Sequence, residues 1–152
     1  MRLYYFLGNL LRPFSIVGLN VYSYITRRPR VRLIVQNEKK EVLLVQSWLG
    51  GKSWGLPGGG VERGEDSMNA AVRELREETT IAARIEALIP ICNLPHARHE
   101  EIVFSLTVPA SSLPEQITPG FEIKDAQWFS MSELPHLEPL ARKVIDQVTN
   151  SR

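Results

Sequence analysis

The stretch "LPGGGVERGEDSMNAAVRELREETTI" (56–81) runs three glycines into a helix that ends among acids. Asp66 or Ser67 can cap that helix, which the spacing extends to about Thr79, with Ala70, Ala71, Val72 and Leu75 turned to a core. Glu74 then meets Glu77 at i+3 and Glu78 at i+4. Each like-charge pair costs about 0.2–0.5 kcal/mol on an exposed helix. The three acids also occupy the last turns, where the helix dipole favours cations. A bound divalent cation reverses both penalties, because hard oxygen ligands suit Mg²⁺ or Mn²⁺. Three acids alone read as a solvated face, since Glu is a good helix former. The glycine run upstream changes the balance: it lets backbone at Gly58 or Gly59 approach a metal or phosphate with no Cβ in the way.

On either side of this stretch lie strand signals. "VRLIVQ" (31–36) and "EVLLVQS" (41–47) are β-branched and apolar, and "NEKK" between them reads as a hairpin turn. "WLGGKSWGLPGGG" (48–60) carries six glycines and a proline and reads as irregular backbone. Downstream, "ARIEALIPI" (83–91), "EIVFSLTVP" (101–109) and "EIKDAQWFS" (122–130) read as strands, with a loop over 110–120. "SELPHLEPLARKVIDQVT" (132–149) reads as a helix interrupted early by Pro135 and Pro139. Strands on both sides of a long helix imply an α/β domain with helices covering a mixed sheet.

Gly59, Glu65, Arg73, Glu74, Leu75, Glu77, Glu78 and Ile81 fall at the spacing of the Nudix box, and the stretch resembles that family at eight of nine fixed positions. The departure is Thr80, where the family has glycine; a β-branched residue resists the left-handed conformation, so a different helix end is expected. The resemblance implies an α/β/α sandwich over residues 29–152 and Mg²⁺-dependent hydrolysis of a nucleoside diphosphate linked to another group, with Mn²⁺ as a substitute ion. Carried over by position, Glu77 and Glu78 are principal metal ligands, Glu74 is a direct or water-mediated one, and the Gly58 carbonyl is another. Arg73 belongs with the catalytic set as the residue that orients the glutamates, with Glu65 as its partner. Glu122 is the best positional match for a further acid, as ligand or general base. Glu100 and Glu101 compete for that role, Glu101 reading as a surface acid at a strand end. Gly59, Gly60, Trp48 and Arg32 are the candidate substrate contacts; Trp48 could stack on a base or sugar, whereas Trp54 reads at least as well as core. Which glutamate acts as base stays open. A non-catalytic module that senses a nucleotide or holds a partner is the second reading; the retained glutamates argue against it.

Composition is that of a soluble globular protein, 43% apolar and 23% charged. A net charge of +1 argues against a nucleic-acid polymer as partner, and the single cysteine, Cys92, fits a reducing cytoplasm. Charge is unevenly spread: residues 1–37 hold six arginines and no acid, while the remainder holds 12 basic against 17 acidic side chains. "LYYFLGNLL" (3–11) is too short to span a bilayer, so residues 1–28 read as a helical extension packed on the domain. A helix over 14–26 would align Val17, Val21 and Tyr24. Membrane-surface contact through residues 1–30 is the lesser reading, and a homodimer is compatible with the sequence. "GGKS" (50–53) is no P-loop, because Gln46 stands where the first glycine must be and no helix follows. His96 and His99 lack the partners of a zinc site and read as surface loop residues.

Overall fold

The computed structural model describes residues 28–48, 50–96, 99–110 and 117–150. The expected N-terminal extension, its packing stripe and its membrane contact lie outside these residues, apart from the last residue of the extension.

Five strands form one mixed sheet: β1 (Arg30–Gln36), β2 (Val42–Ser47), β3 (Ile89–Pro95), β4 (Glu100–Thr107) and β5 (Ile123–Phe129), in the order β3-β4-β1-β2-β5. Only β1 and β4 run parallel, in register from Arg30↔Glu101 to Gln36↔Thr107. Strand alternation divides β1 cleanly. Val31, Leu33 and Val35 pack with Ala70, Ala71 and Leu75 of helix α1 (Ser67–Thr79), while Ile34 packs with Ala141, Val144 and Ile145 of helix α2 (Pro139–Asn150). The result is the expected α/β/α sandwich.

The hairpin turn after β1 is built by Asn37, whose Oδ1 accepts from the backbone N–H of Lys39 and of Glu41, each at 3.0 Å. Two sequence expectations shift. Within 83–91, Ile85–Ala87 is a turn of 3₁₀ helix and the strand starts only at Ile89, continuing to Pro95. β3 is an edge strand, where a proline is tolerated, and the register slips between Pro90 and Cys92. The last helix is not interrupted by Pro139 but begins there, at the first helical position, where a missing N–H is no loss.

Candidate active site

The site begins where β1 and β2 part. Their register is held at Gln36↔Val42, and the glycine loop fills the widening gap. Gly55 exchanges both backbone hydrogen bonds with Val45 (3.0 and 2.8 Å). On the other side Leu33 N–H donates to the Pro57 carbonyl and Val31 N–H to that of Gly59, both at 2.9 Å. Gly58 is obligatory in this wedge. Its φ is +139°, and a Cβ there would lie 2.1 Å from the Val31 carbonyl oxygen. A Cβ on Gly59 would lie 2.3 Å from Glu74 Oε1, so the bare backbone is what admits the helix carboxylate.

Helix α1 is capped as expected, with Asp66 Oδ1 accepting from Met68 N–H at 2.8 Å. Arg73 then ties helix to loop. Its Nε and Nη2 donate to the two oxygens of Glu65, both at 2.9 Å, a bidentate pair. Nη2 also reaches the Gly60 carbonyl at 3.0 Å, and Nη1 reaches Glu74 Oε1 at 3.0 Å and Glu77 Oε2 at 3.3 Å. These bonds raise the Arg73 pKa, with Glu65 the largest cause, and Glu65 is held below its ordinary value chiefly by the bond from Arg73.

The acids themselves differ. Glu77 is exposed and accepts from Arg73 Nη1. Burial pushes Glu74 above the usual carboxylate range, against the pull of Arg73. Burial pushes Glu78 further, up to about 8, although Gly58 N–H donates to its Oε2 at 2.8 Å. The charges of Glu74 and Glu122 add to that rise.

Glu122 is brought near by the end of the helix. The Glu78 carbonyl accepts from Gly120 N–H at 2.9 Å, and a Cβ on Gly120 would lie 2.0 Å from the Glu77 carbonyl oxygen. The segment after Gly120 is thereby docked on the last turn of α1, with Trp48 N–H donating to the Glu122 carbonyl at 3.2 Å. Thr80 contradicts the expectation of a different helix end. It adopts the left-handed conformation itself, at φ 62° and ψ 2°, and its N–H donates to the Arg76 carbonyl. Three of the last four helix carbonyls have partners, since Arg76 O accepts from Thr80 N–H, Glu78 O from Gly120 N–H and Thr79 O from Thr80 Oγ1, while Thr79 Oγ1 donates to Leu75 O at 2.6 Å. These bonds hold the end firmly enough to override the preference of a β-branched residue.

Among the other candidates, Arg32 Nη1 donates to the Gly58 carbonyl at 2.9 Å, which leaves that oxygen a second lone pair. The Gly60 carbonyl is engaged by Arg73. Trp54 belongs to the core, edge-on to Phe129 with centroids 4.8 Å apart. Two expectations fail. Glu101 is not a surface acid: it is 3% exposed, paired with Arg32 and His99. His99 is no free loop residue, since its Nε2 lies 2.7 Å from Glu101 Oε1 and its ring stacks on His96 at 4.5 Å. The available signal was strand parity, which puts Glu101 on the face of Val103 and Arg30 on that of Arg32.

The donor chemistry fits a hard divalent cation. Glu78 is desolvated among other acids, and such a carboxylate takes either a proton or a metal ion. Among the described residues no three acid, histidine or cysteine side chains already converge as a cage. Arg73 holds Glu74 and Glu77, and Glu78 turns to Gly58, so an ion would draw them together. No helix among the described residues is long and apolar enough to cross a membrane.

Comparison with known proteins agrees with this architecture. The NUDIX domain model matches residues 26–148. A Bacillus subtilis (strain 168) protein provisionally named an 8-oxo-dGTP diphosphatase is 32% identical over 119 residues, 78% of this chain and 77% of that protein. An ADP-ribose pyrophosphatase of Methanocaldococcus jannaschii is 31% identical over 90 residues, 59% of this chain and 53% of the relative, so the chain spans about half of that protein. The crystal structure of a MutT NUDIX hydrolase from Burkholderia pseudomallei superposes with a TM-score of 0.68 at 22% identity, covering 80% of this chain and 97% of that one. With the box glutamates, their arginine brace and the glycine wedge set on this sandwich, the chain belongs to the Nudix hydrolase family, whose relatives here are pyrophosphatases and diphosphatases.

Proposed function

We propose that the protein hydrolyses a pyrophosphate bond in a nucleoside diphosphate linked to another moiety, a small nucleotide-type substrate, with Mg²⁺ as its ion and Mn²⁺ as a substitute. One observation carries this reading: Glu78, largely withdrawn from water beside Glu74 and Glu122, sits against the backbone of the glycine loop. Two relatives named for nucleotide pyrophosphate chemistry support the substrate class.

In this reading Glu74, Glu77, Glu78, Glu122 and the Gly58 carbonyl hold the ion. When bound, the metal supplies neutralisation of phosphate oxygens and a more acidic water. Glu122, exposed and one segment away from the helix, is free to take the proton from that water. Arg73 acts through others: it fixes Glu65, the Gly60 carbonyl and two helix carboxylates, and so sets where Glu74 and Glu77 stand. Gly60, with open space where a side chain would stand, leaves room for the diphosphate beside Gly59, whose own side is filled by Glu74; Arg32 meets its charge, and Trp48, anchored beside Glu122, offers a ring to the base or sugar. The expected compartment is the cytoplasm.

The test is a Mg²⁺-dependent hydrolysis screen over nucleoside triphosphates, nucleotide sugars, dinucleoside polyphosphates and ADP-ribose-like pyrophosphates. Glu77→Gln and Glu78→Gln are each expected to lower kcat by about two to four orders of magnitude while the fold survives. Wild-type rates in both variants would sink the assignment. Tight nucleotide binding with no turnover on any class would instead mark a sensor.

A further inference from the structure

The carboxylates crowd one side of the glycine wedge, and cations crowd the other. Arg30 and Arg32, two apart on β1, share a sheet face, and the burial of Arg30 lowers its pKa, with the Arg32 charge adding to the effect. One acid serves both. Glu101 stands opposite Arg30 in the parallel register, buried, with Oε2 3.2 Å from Arg32 Nε and Oε1 2.7 Å from His99 Nε2. Arg32 is doubly fixed, since Nη1 also grips the Gly58 carbonyl at 2.9 Å. Arg30 Nε, by contrast, is buried and has no hydrogen-bond partner, and Glu101 Oε2, although ion-paired with Arg32, accepts no hydrogen bond either. Its charge interacts with those of Glu101, Glu74 and Glu78, so it lies within electrostatic reach of the helix acids.

A buried cationic donor without an acceptor is costly, and folded proteins keep very few. Functional sites are where such a departure is expected, and an incoming anion would supply the missing acceptor. Two guanidiniums against the single charge of Glu101 leave an excess positive charge. Their planar forks match phosphate oxygens. The adjoining Gly60 has open space where a side chain would stand.

We propose that Arg30 and Arg32 form an anion subsite that takes a phosphoryl group of the substrate next to the carboxylate site, with Glu101 and His99 as the residues that position Arg32. This rests on the hydrolase reading, because the same substrate must reach Glu78. It goes beyond that reading in assigning Arg30, Glu101 and His99, and in making Arg32 one half of a built pair.

Arg30→Met tests it, because it removes the charge and breaks no hydrogen bond made by that Nε. Three quantities are measured on the full chain: melting temperature, the Kd for imidodiphosphate with Mg²⁺ by calorimetry, and KM and kcat on the substrate found in the screen. The Kd and KM are expected to rise about 10- to 100-fold, as for loss of a charge-assisted hydrogen bond, with kcat within about threefold. The melting temperature is expected to hold or rise, since an unpartnered buried charge has gone. A residue that only supported the fold would lower it and leave the Kd alone. Glu101→Gln keeps the shape, frees Arg32 and is expected to raise the Kd several-fold; Arg32→Lys, which lacks the fork, is expected not to restore binding. An unchanged Kd in Arg30→Met overturns the subsite, whatever the melting temperature does. If the wild type hydrolyses nothing, the functional reading fails on that screen, while the imidodiphosphate titration still decides the subsite.

Discussion

Arg73 and Arg30 are both drawn partly out of water near the same carboxylates, and they are treated in opposite ways. Arg73 has five bonds, to Glu65, Glu74, Glu77 and the Gly60 carbonyl, and its pKa rises. Arg30 keeps a buried Nε with no acceptor, and its pKa falls, burial being the first cause. A guanidinium with its donors filled is scaffold, because nothing further can bind to it without breaking what it holds. One with a buried donor unfilled stores unfavourable free energy that an incoming anion can release. The contrast also predicts opposite signs of mutational effect on stability, which the sequence marks on one side only: Arg73 stands beside Glu74 in the box, whereas nothing around Arg30 sets it apart.

Arg73→Lys is the sharpest way to break the contrast. A lysine keeps the charge but cannot bond Glu65 bidentately while reaching Glu74 and Gly60. Activity is expected to fall about 10- to 100-fold, as for residues that orient ligands without touching substrate. Stability is expected to fall by about 1–2 kcal/mol, given that several of the lost bonds are half-exposed. A Mg²⁺ titration followed by calorimetry checks the cause, since the apparent ion affinity should weaken too. If Arg73→Lys melts and turns over like the wild type, scaffold and binding arginines are not distinguished by their bonding.

A smaller effect concerns the acids between the two arginines. Glu78 has a folded pKa of about 8, above the ordinary carboxylate value of the unfolded chain. Between the two values the folded state holds a proton that the unfolded state has lost, so this group's contribution to stability is complete below the unfolded value and declines as pH rises towards 8. In EDTA, the melting temperature of the wild type relative to Glu78→Gln is therefore expected to fall between about pH 5 and 8. Mg²⁺ replaces the proton, so the stabilisation it adds grows over the same interval, with proton release on binding. A wild-type minus Glu78→Gln difference that rises with pH in EDTA would contradict a desolvated Glu78.

The box stretch disclosed its neighbourhood because its signals are local. Three acids within a helical turn, a cap at Asp66 and glycines before it are all readable within 26 residues. The same local logic placed the hairpin at Asn37 and the core stripe at Ala70, Ala71 and Leu75. What stayed hidden depended on distant pairing. Glu101 looked like a strand-end acid until the parallel register of β1 and β4 set it opposite Arg30 and buried it. The start of β3 was misplaced because the apolar alternation of "ARIEALIPI" continues through a 3₁₀ turn, where Leu88, buried in the core, is what fixes the path. In each case burial is conferred by a neighbour far along the chain, and periodicity within the segment cannot register it.

Thr80 is the smallest test and a control for the others. It lies among the same helix-end contacts, carries no charge, and departs from the box pattern at a position where the backbone is left-handed, the conformation a glycine would take readily. A left-handed non-glycine residue costs about 1–2 kcal/mol, partly offset because glycine loses more entropy on folding. The side chain recovers little: Thr80 Oγ1 donates to the Thr79 carbonyl at 2.5 Å in an exposed turn, where water would serve. Thr80→Gly is therefore expected to raise stability by up to about 1 kcal/mol, read from denaturant melts. Because Gly120 and Thr79 hold the end of α1 independently of that side chain, kcat/KM and the apparent Mg²⁺ affinity are expected to stay within about twofold. A large kinetic change here would mean that the turn after Glu78 adjusts the carboxylates, and that the rigid brace on this side of the glycine wedge extends beyond Arg73.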